Sequence, residues 1–264
     1  MILKSLSSSS KGNIHILENG ETTILLDCGI KYQRLSEILN PIHIDGVLIT
    51  HEHGDHVCGC RSLSENKVTT FYGTKETLDN INVPEFTKIS LEPFRTYKIG
   101  TFNIVPFEVK HDAVHPVNYL IKDNITGAQL LYITDTGYID NLKFKDIDYI
   151  LIECNFDEEW YSSEVINSLP IEEAKIRKFR GKRLLSKEGH LSIQKTVRVL
   201  KNIINYNTKK IVLCHISHNY EGYKNFENKI REELKFESVV ALNPMYIGLV
   251  INEFKEAKEV IKFE

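Results

Sequence analysis

The segment VLITHEHGDH constrains this chain more than any other feature, because it places metal-binding side chains directly after an apolar run. His51 and His53 are two positions apart, so in extended backbone their imidazoles point the same way and can reach one ion. Gly54 permits a sharp turn, after which the adjacent Asp55 and His56 would face a second position. One histidine here would be an ordinary polar strand end, but three histidines and an aspartate within six positions predict a site for two metal ions.

Further ligand candidates each follow an apolar strand: His111 in FEVKHDAVHP, Asp135 in LLYITDTG and His215 in KKIVLCHIS. A two-metal hydrolytic site needs a carboxylate that can bridge the ions and additional imidazoles, with positions left for water and substrate. Each residue alone could be a polar strand end without function. Together with the histidine-rich segment they complete a ligand set in which every member lies at the same end of a strand.

The apolar pattern predicts many strands and few helices. Strands are expected at 14–17, 23–26, 47–50, 102–109, 117–121, 130–134, 149–153, 211–215 and 246–251, and helices at 32–40, 192–205 and 221–234. The turns ENGE and DNITG are typical of hairpins. Because few helices separate the strands, we expect an α/β (α+β) fold of two mixed sheets flanked by helices, formed as a single domain by residues 1–264.

Composition limits the classes of function. The net charge of −3 gives no general basic field, so contact with nucleic acid would need a local patch. No run approaches the ~18 apolar residues of a membrane span, and the amino-terminal MILKSLSSSSKGN lacks a secretory apolar segment, so we expect a cytoplasmic protein without membrane contact. The five cysteines are odd in number and provide no second CxC or CxxC pair for a thiolate zinc site, which favours reduced thiols.

The histidine segment resembles the metallo-β-lactamase-fold hydrolase superfamily, whose HxHxDH motif is matched by THEHGDH. In chain order, SLSSSSKGN, LLDCGI, ITHEHGDH, KHDAVHP, ITDTGY, IECNFD, GHLS and HIS are similar to the YycJ (WalJ) branch. These are bacterial and phage proteins similar to RNase Z and associated with 5′ exonuclease action on DNA. The resemblance covers nearly the whole chain and implies an αββα sandwich with a dinuclear metal site at one edge.

The resemblance also implies how the ligands divide. One ion would be bound by His51, His53, His111 and Asp135, and the other by Asp55, His56, Asp135 and His215. Asp27, at an earlier strand end, would orient the histidine segment. A histidine at position 53 separates the chain from the oxidoreductases of the superfamily, which carry an acidic residue there, and so favours hydrolysis. Zinc is the default metal for an imidazole-rich site, and manganese would also suit the mixed nitrogen and oxygen ligands.

The resemblance assigns the proton transfers as well. His190 in EGHLS and Glu153 in LIECNF match the histidine and glutamate that act as a proton shuttle in RNase Z, and Asp55 is the third catalytic candidate. From the residues alone, Glu153 could instead be a solvent-facing acid at a strand end. The chain departs from the branch at Asn118, where glycine is usual, and at Ile193, where asparagine is usual, both beside the expected substrate region.

A basic run, KIRKFRGKRLLSKEGH, ends at the proposed catalytic His190. Charge runs are often plain solvated surface. Beside a catalytic residue, however, a wall that binds the phosphates of a polyanion is the favoured interpretation, and Phe179 could stack on a base. The substrate-binding candidates are Arg177, Arg180, Arg183 and Ser217.

These observations favour a DNA exonuclease directed to 5′ ends that uses two divalent ions per chain, zinc or manganese, with DNA preferred to RNA as the partner. The alternative is a small-molecule phosphodiesterase, such as a cyclic-nucleotide hydrolase, on the same site. A metal-binding module without activity is disfavoured by the complete ligand set and by His190. The sequence leaves the oligomeric state open.

Overall fold

The computed structural model describes residues 1–139, 144–217, 225–244 and 260–262. Over these residues the chain forms two mixed β-sheets packed face to face, with helices on both outer faces. This is the αββα sandwich that the sequence predicts. No helix in the described part of the chain combines the length and apolar character needed to cross a membrane.

Each sheet combines antiparallel and parallel pairing. The first contains β1 (Ile2–Ser9), β2 (Gly12–Glu18), β3 (Thr23–Leu26), β4 (Gly46–Leu48), β5 (Phe71–Gly73), β6 (Lys88–Ser90) and β14 (Val260–Lys262). The second contains β7 (Tyr97–Ile99), β8 (Phe102–Glu108), β9 (Val117–Asp123), β10 (Gln129–Ile133), β11 (Tyr149–Glu153), β12 (Lys210–Cys214) and β13 (Val239–Ala241). The strand orders are β14-β1-β2-β3-β4-β5-β6 and β13-β12-β11-β10-β9-β8-β7.

The helices are α1 (Ser36–Leu39), α2 (Gly54–Val57), α3 (Cys60–Ser64), α4 (Lys75–Asp79), α5 (Ser163–Ser168), α6 (Ile171–Leu184), α7 (Ile193–Ile203) and α8 (Phe226–Leu234). Helices α1, α3 and α4 cover the outer face of the first sheet and α7 and α8 that of the second, whereas α5 and α6 pack on each other and on a 3-10 helix. Short 3-10 helices occur at Tyr32–Arg34, Glu85–Thr87 and Glu158–Tyr161. Helix α7 begins where the side chain of Ser192 accepts a hydrogen bond from the backbone N–H of Lys195, an N-terminal cap of the usual kind.

The alternation of side chains along the strands explains the layers. Ile24 and Leu26 point between the sheets, whereas Leu25 points outward to the helices that cover the first sheet. In the second sheet Tyr132 points inward and Leu131 outward, toward helices α7 and α8. Strands buried on both faces read as continuous apolar runs, as the sequence of this chain does.

The strand directions bring several loops to one edge. Strands β3 and β4 are parallel in the first sheet, and β10, β11 and β12 are parallel in the second. Strand β8 runs in the same direction as β10, because β9 is antiparallel to both. The carboxyl ends of these strands therefore lie together, which is where α/β proteins usually place their sites.

Most predicted elements are present, with some corrections. The predicted helix at 32–40 is split into the 3-10 turn Tyr32–Arg34 and helix α1, and helix α8 begins at Phe226. Strands β1, β5, β6, β7, β13 and β14 and helices α2 to α6 were not predicted. The predicted strand 246–251 and residues 221–224 of the last helix lie outside the described residues. The five cysteines are free thiols, as expected.

Candidate metal centre

The predicted ligands meet at the edge where these strand ends converge. His51, His53, His111 and Asp135 form one cluster, and Asp55, His56, Asp135 and His215 form a second; within each, the candidate ligand atoms lie within 4.8 Å of one another. The clusters share Asp135, whose Oδ2 lies 3.5 Å from Nε2 of His111 and whose Oδ1 lies 3.2 Å from Nε2 of His215. The structure therefore brings all the predicted ligands together, with Asp135 in the position of a bridge.

The turn predicted at Gly54 is the start of helix α2. His53 precedes this helix in extended conformation, so it keeps the direction of the strand end. Asp55 and His56 lie in the first helical turn and are thereby rotated away from His51 toward the second cluster. One glycine-initiated turn thus divides the histidine segment between two metal positions.

In each imidazole, the ring nitrogen that points away from the cluster contacts a hydrogen-bond partner. The partners are Thr50 Oγ1 for His51 Nδ1 (3.0 Å), the backbone oxygen of Asp112 for His53 Nε2 (3.1 Å), Asp27 Oδ2 for His56 Nδ1 (2.8 Å), the backbone oxygen of Gly189 for His111 Nδ1 (3.1 Å) and Glu153 Oε1 for His215 Nδ1 (3.0 Å). An acceptor at one ring nitrogen places the hydrogen there and leaves the other nitrogen for a metal. The protein's own hydrogen bonds therefore orient the candidate ligands.

The first cluster suits a cation because two of its imidazoles, His51 and His111, are buried and neutral. His51 is buried, and its Nε2 has no hydrogen-bond partner within the described residues. Burial, followed by the neighbouring His56, lowers the pKa of His51 well below its ordinary value, and burial also lowers the pKa of His111. Both rings thus carry an inward lone pair at pH 7. An unpartnered buried nitrogen is costly, and a divalent ion would satisfy it.

In the second cluster the carboxylates dominate. Burial lowers the pKa of His56, but Asp135, Asp27 and Asp55 outweigh burial and hold it well above its ordinary value. Burial also opposes protonation of His215, yet the carboxylates, led by Asp135, raise its pKa to about 10. These imidazoles hold protons where their surroundings favour positive charge, and a divalent ion would replace those protons.

Asp27 lies behind the histidine segment, at the end of strand β3. Its Oδ2 accepts hydrogen bonds from Nδ1 of His56 and from the hydroxyl of Tyr132, both at 2.8 Å. Its Oδ1 accepts from the backbone N–H of Thr50 at 2.8 Å, and Thr50 Oγ1 contacts His51. One buried carboxylate therefore contacts His56 directly and His51 through Thr50, the geometry that an orienting role requires.

Strand-terminal site residues adopt left-handed backbone conformations. Their φ angles are +57° at Asp27, +40° at Asp135 and +47° at His215. Such conformations cost non-glycine residues ~1–3 kcal/mol each and persist where the surrounding structure fixes them. Here they turn the side chains back over the strand ends toward the site, so half of the six non-glycine residues with such angles in the described chain belong to the candidate metal centre.

Glu153 and His190 form a buried pair beside the second cluster. Glu153 has no exposed surface, which excludes the solvent-facing alternative. Its Oε1 accepts a hydrogen bond from Nδ1 of His190 at 2.6 Å, and its Oε2 accepts from the backbone N–H of Leu191 at 3.0 Å. The His190 ring stacks on the His215 ring with centroids 5.2 Å apart. The predicted proton-transfer pair thus lies against a candidate metal ligand.

A family profile described as a beta-lactamase superfamily domain matches residues 22–216, the range that holds every predicted ligand together with Glu153 and His190. The chain belongs to the beta-lactamase superfamily. This confirms the predicted metallo-β-lactamase-fold hydrolase.

Relatives place the chain more narrowly within the superfamily. Exodeoxyribonuclease WalJ of Streptococcus pneumoniae serotype 2 (strain D39) is 31% identical, over 94% of this chain and 90% of the relative. Exodeoxyribonuclease YycJ of Bacillus anthracis is 27% identical, over 80% and 81%. Among solved structures, the metallo-beta-lactamase fold protein YhfI of Bacillus subtilis has a TM-score of 0.69 and 17% identity, covering 92% of this chain and 95% of YhfI. These similarities confirm the predicted branch and the predicted fold.

The candidate metal centre also includes two residues of the SLSSSSKGN segment, on the amino-terminal hairpin, to which the sequence assigned no individual role. Ser8 Oγ, at the end of strand β1, accepts a hydrogen bond from the backbone N–H of His215 at 2.8 Å. Asn13 Nδ2, at the start of strand β2, lies 3.1 Å from Nε2 of His56 and 3.4 Å from Oδ2 of Asp55. The match of SLSSSSKGN to the branch was the available signal, and the structure adds that Ser8 and Asn13 are almost fully buried.

The substrate-binding candidates differ in their distance from the candidate metal centre. Arg183 reaches its rim, because its Nε lies 3.2 Å from Oδ2 of Asp112, the residue after His111. Arg177 turns toward the body of the protein, with its guanidinium 5.0 Å above the Trp160 ring. It also pairs with Glu173. Arg180 is exposed, and Ser217 donates its backbone N–H to the backbone oxygen of Asn155.

Proposed function

We propose that the chain is a metal-dependent DNA exonuclease that acts from 5′ ends. The observation that supports this best is the complete set of candidate metal ligands in a chain whose relatives, matched over most of their length, are named exodeoxyribonucleases. The fold alone does not identify the activity, because proteins with one fold can have many different activities. DNA as the substrate also fits the cytoplasmic location that the sequence predicts.

We infer that the site holds two divalent ions, zinc or manganese. The neutral imidazoles of His51 and His111 and the carboxylate shared by both clusters fit such ions. The first ion would be held by His51, His53, His111 and Asp135, and the second by Asp55, His56, Asp135 and His215. When bound, two such ions activate water and neutralise the charge that develops on a phosphoryl group.

The remaining step, protonation of the leaving oxygen, falls to His190 in this proposal. Burial lowers the pKa of His190, but the Glu153 carboxylate, 2.6 Å from Nδ1, outweighs burial and raises it. With Nδ1 bound to Glu153, Nε2 is the nitrogen that donates a proton to the alkoxide leaving phosphorus. Glu153 stabilises the protonated imidazole and fixes its orientation, as a general acid requires.

Substrate contacts are proposed for the basic helix α6 and the loop after His215. Arg180 and Arg183 would bind phosphates of the strand as it passes the site, with Arg177 and Ser217 as further candidates. Contacts to phosphate make binding strongly dependent on salt, which distinguishes a polymer from a small diester.

The test is a comparison of substrates with metal-reconstituted protein. Single- and double-stranded DNA labelled at either end, RNA of the same sequence and cyclic nucleotides are incubated side by side, with Asp135→Asn as the matched inactive control. We expect 5′-labelled DNA to release labelled short products from the first turnover, while 3′-labelled DNA shortens progressively. Turnover of cyclic nucleotides with DNA left intact would overturn the nuclease and establish the small-molecule phosphodiesterase instead.

A further inference from the structure

Helix α6 exposes an aromatic and apolar stripe to solvent. Ile176, Phe179 and Arg183 are three, then four positions apart and so share one face of the helix. The Phe179 side chain is 80% exposed and Ile176 is 54% exposed. A phenyl ring exposed to water adds no hydrophobic stabilisation, so the stability of the isolated chain does not explain why this face is apolar.

The opposite face of the helix is anchored, which keeps the stripe outward. A Cβ added at Gly181 would lie 2.7 Å from the ring of Tyr161, so the helix approaches that ring as closely as glycine allows. One turn earlier, the Arg177 guanidinium packs over Trp160. Rotation of the helix to bury Phe179 would break both contacts. The stripe is therefore a fixed surface and not a frayed end.

The stripe leads to the candidate metal centre. At its carboxyl end Arg183 pairs with Oδ2 of Asp112, whose Oδ1 lies 3.3 Å from Nε2 of the candidate ligand His111. With a rise of about 1.5 Å per residue, Phe179 follows Arg183 at about 6 Å along the helix axis and Ile176 at about 10 Å. A chain leaving the first metal position along this helix would meet the cation first and the phenyl ring next.

Charge complementarity identifies the occupant. Lys178, Arg180 and Lys182 flank the stripe and form no ion pair within the described part of the chain. A central aromatic ring with cations beside it fits a strand whose bases are unpaired, because the bases can stack on the ring while the phosphates meet the cations. A duplex keeps its bases stacked inside and would use only the cations.

We propose that the stripe Ile176–Phe179–Arg183 binds unpaired bases of the DNA strand next to the scissile phosphate, so that the strand end is held single-stranded where it enters the site. This rests on the proposed nuclease function. The platform itself, however, is a binding surface and can be measured without hydrolysis.

The test is anisotropy of fluorescently labelled, phosphorothioate-linked oligo-dT, which resists hydrolysis, with the metal-loaded protein, together with KM on the unmodified oligomer. Phe179→Ala should weaken single-strand binding by roughly 5- to 100-fold, the range expected for loss of one stacked base, and should weaken blunt-duplex binding much less. Phe179→Trp should restore binding, because an aromatic face is restored. Phe86→Ala is the matched control, since Phe86 is 90% exposed in the 3-10 helix Glu85–Thr87 beside the edge of the other sheet, and it should bind like the wild type.

Equal binding of oligo-dT by the wild type and by Phe179→Ala would overturn the platform. So would a change from dimer to monomer in Phe179→Ala by light scattering, which would make the stripe a contact between copies, or a loss of binding to anionic lipid vesicles with oligo-dT binding unchanged. Failure of the nuclease proposal is distinct: the wild type would then bind oligo-dT through Phe179 without cleaving it.

Discussion

Glu153 Oε1 lies 2.6 Å from Nδ1 of His190, and the same oxygen lies 3.0 Å from Nδ1 of His215. One carboxylate oxygen thus connects the proposed proton donor to a candidate metal ligand. Its other oxygen accepts backbone hydrogen bonds from Leu191 and Thr136, so Glu153 is itself fixed. Replacement of His190, His215 or Glu153 by alanine should therefore change metal binding and turnover in three different ways.

His190→Ala should lower turnover by ~10²- to 10⁴-fold, as for loss of a general acid, while both ions stay bound. His215→Ala should lower metal content as well as turnover, because it removes a ligand. Elemental analysis of the reconstituted variants, run alongside kcat, separates the two roles. If His190→Ala also emptied the site, the assignments of ligand and proton donor would have to be exchanged.

Glu153→Ala should affect both properties, because the carboxylate orients His190 and His215 together. Loss of a group that orients a metal ligand typically lowers metal affinity by ~10- to 100-fold. We expect the second ion to be released to a chelator at lower concentration than in His190→Ala, with turnover at least as low. Identical chelator titrations for the two variants would show that the contact with His215 has no energetic weight.

The ligands could be predicted because each is a local event: an apolar strand ends and a metal-binding side chain follows. The positions of Ser8 and Asn13 could not, because their contacts depend on how the sheets assemble; Ser8 and His215 are 207 residues apart in sequence. Helix α6 escaped prediction for a different reason. Its apolar residues Ile176 and Phe179 are exposed, so it has no buried apolar stripe from which a helical period could be read.

Asn13→Ala should weaken the second metal position selectively. Asn13 Nδ2 lies 3.4 Å from both the backbone oxygen and Oδ2 of Asp55, a candidate ligand of that position, and its side chain is buried. Titration of the metal-free protein with cobalt should show one tight and one weakened binding event. Ser7→Ala is the matched control in the same hairpin, because Ser7 Oγ bonds to the backbone oxygen of Gly12 and not to a ligand. Two equally tight events in Asn13→Ala would contradict the positioning role.

Metal removal should lower thermal stability. The two clusters gather imidazoles and carboxylates that two metal ions would bind. A ligand that binds only the folded state stabilises it by about 4 kcal/mol at a free concentration 1,000 times the dissociation constant. For a chain of this size that corresponds to a fall in Tm of about 8–16 °C on chelation. Calorimetry before and after chelation, paired with elemental analysis, should also give two ions per chain in the loaded protein. One ion or none after reconstitution would remove the dinuclear mechanism.

Replacement of Arg177, Arg180 and Arg183 together by alanine should raise KM for a DNA strand and make the salt dependence of binding shallower by up to ~3 units, one for each phosphate that the variant no longer neutralises. The three arginines should contribute unequally to this change in salt dependence. Arg183 lies at the rim beside Asp112 and Arg180 is exposed, whereas Arg177 packs over Trp160 and pairs with Glu173. Arg180→Ala and Arg183→Ala should each remove about one unit of slope, while Arg177→Ala should act mainly by lowering Tm.

The measurements are binding of a labelled oligomer across a salt series and hydrolysis of bis(p-nitrophenyl) phosphate by the same variants. Because the small diester has no neighbouring phosphates, the triple variant should be impaired more on the strand than on the diester. An unchanged salt slope would show that the basic run is solvated surface without a role in binding, and would favour a small-molecule phosphodiesterase. Equal impairment on both substrates, accompanied by a lower Tm, would instead indicate a destabilised fold, which Arg177→Ala alone would reproduce.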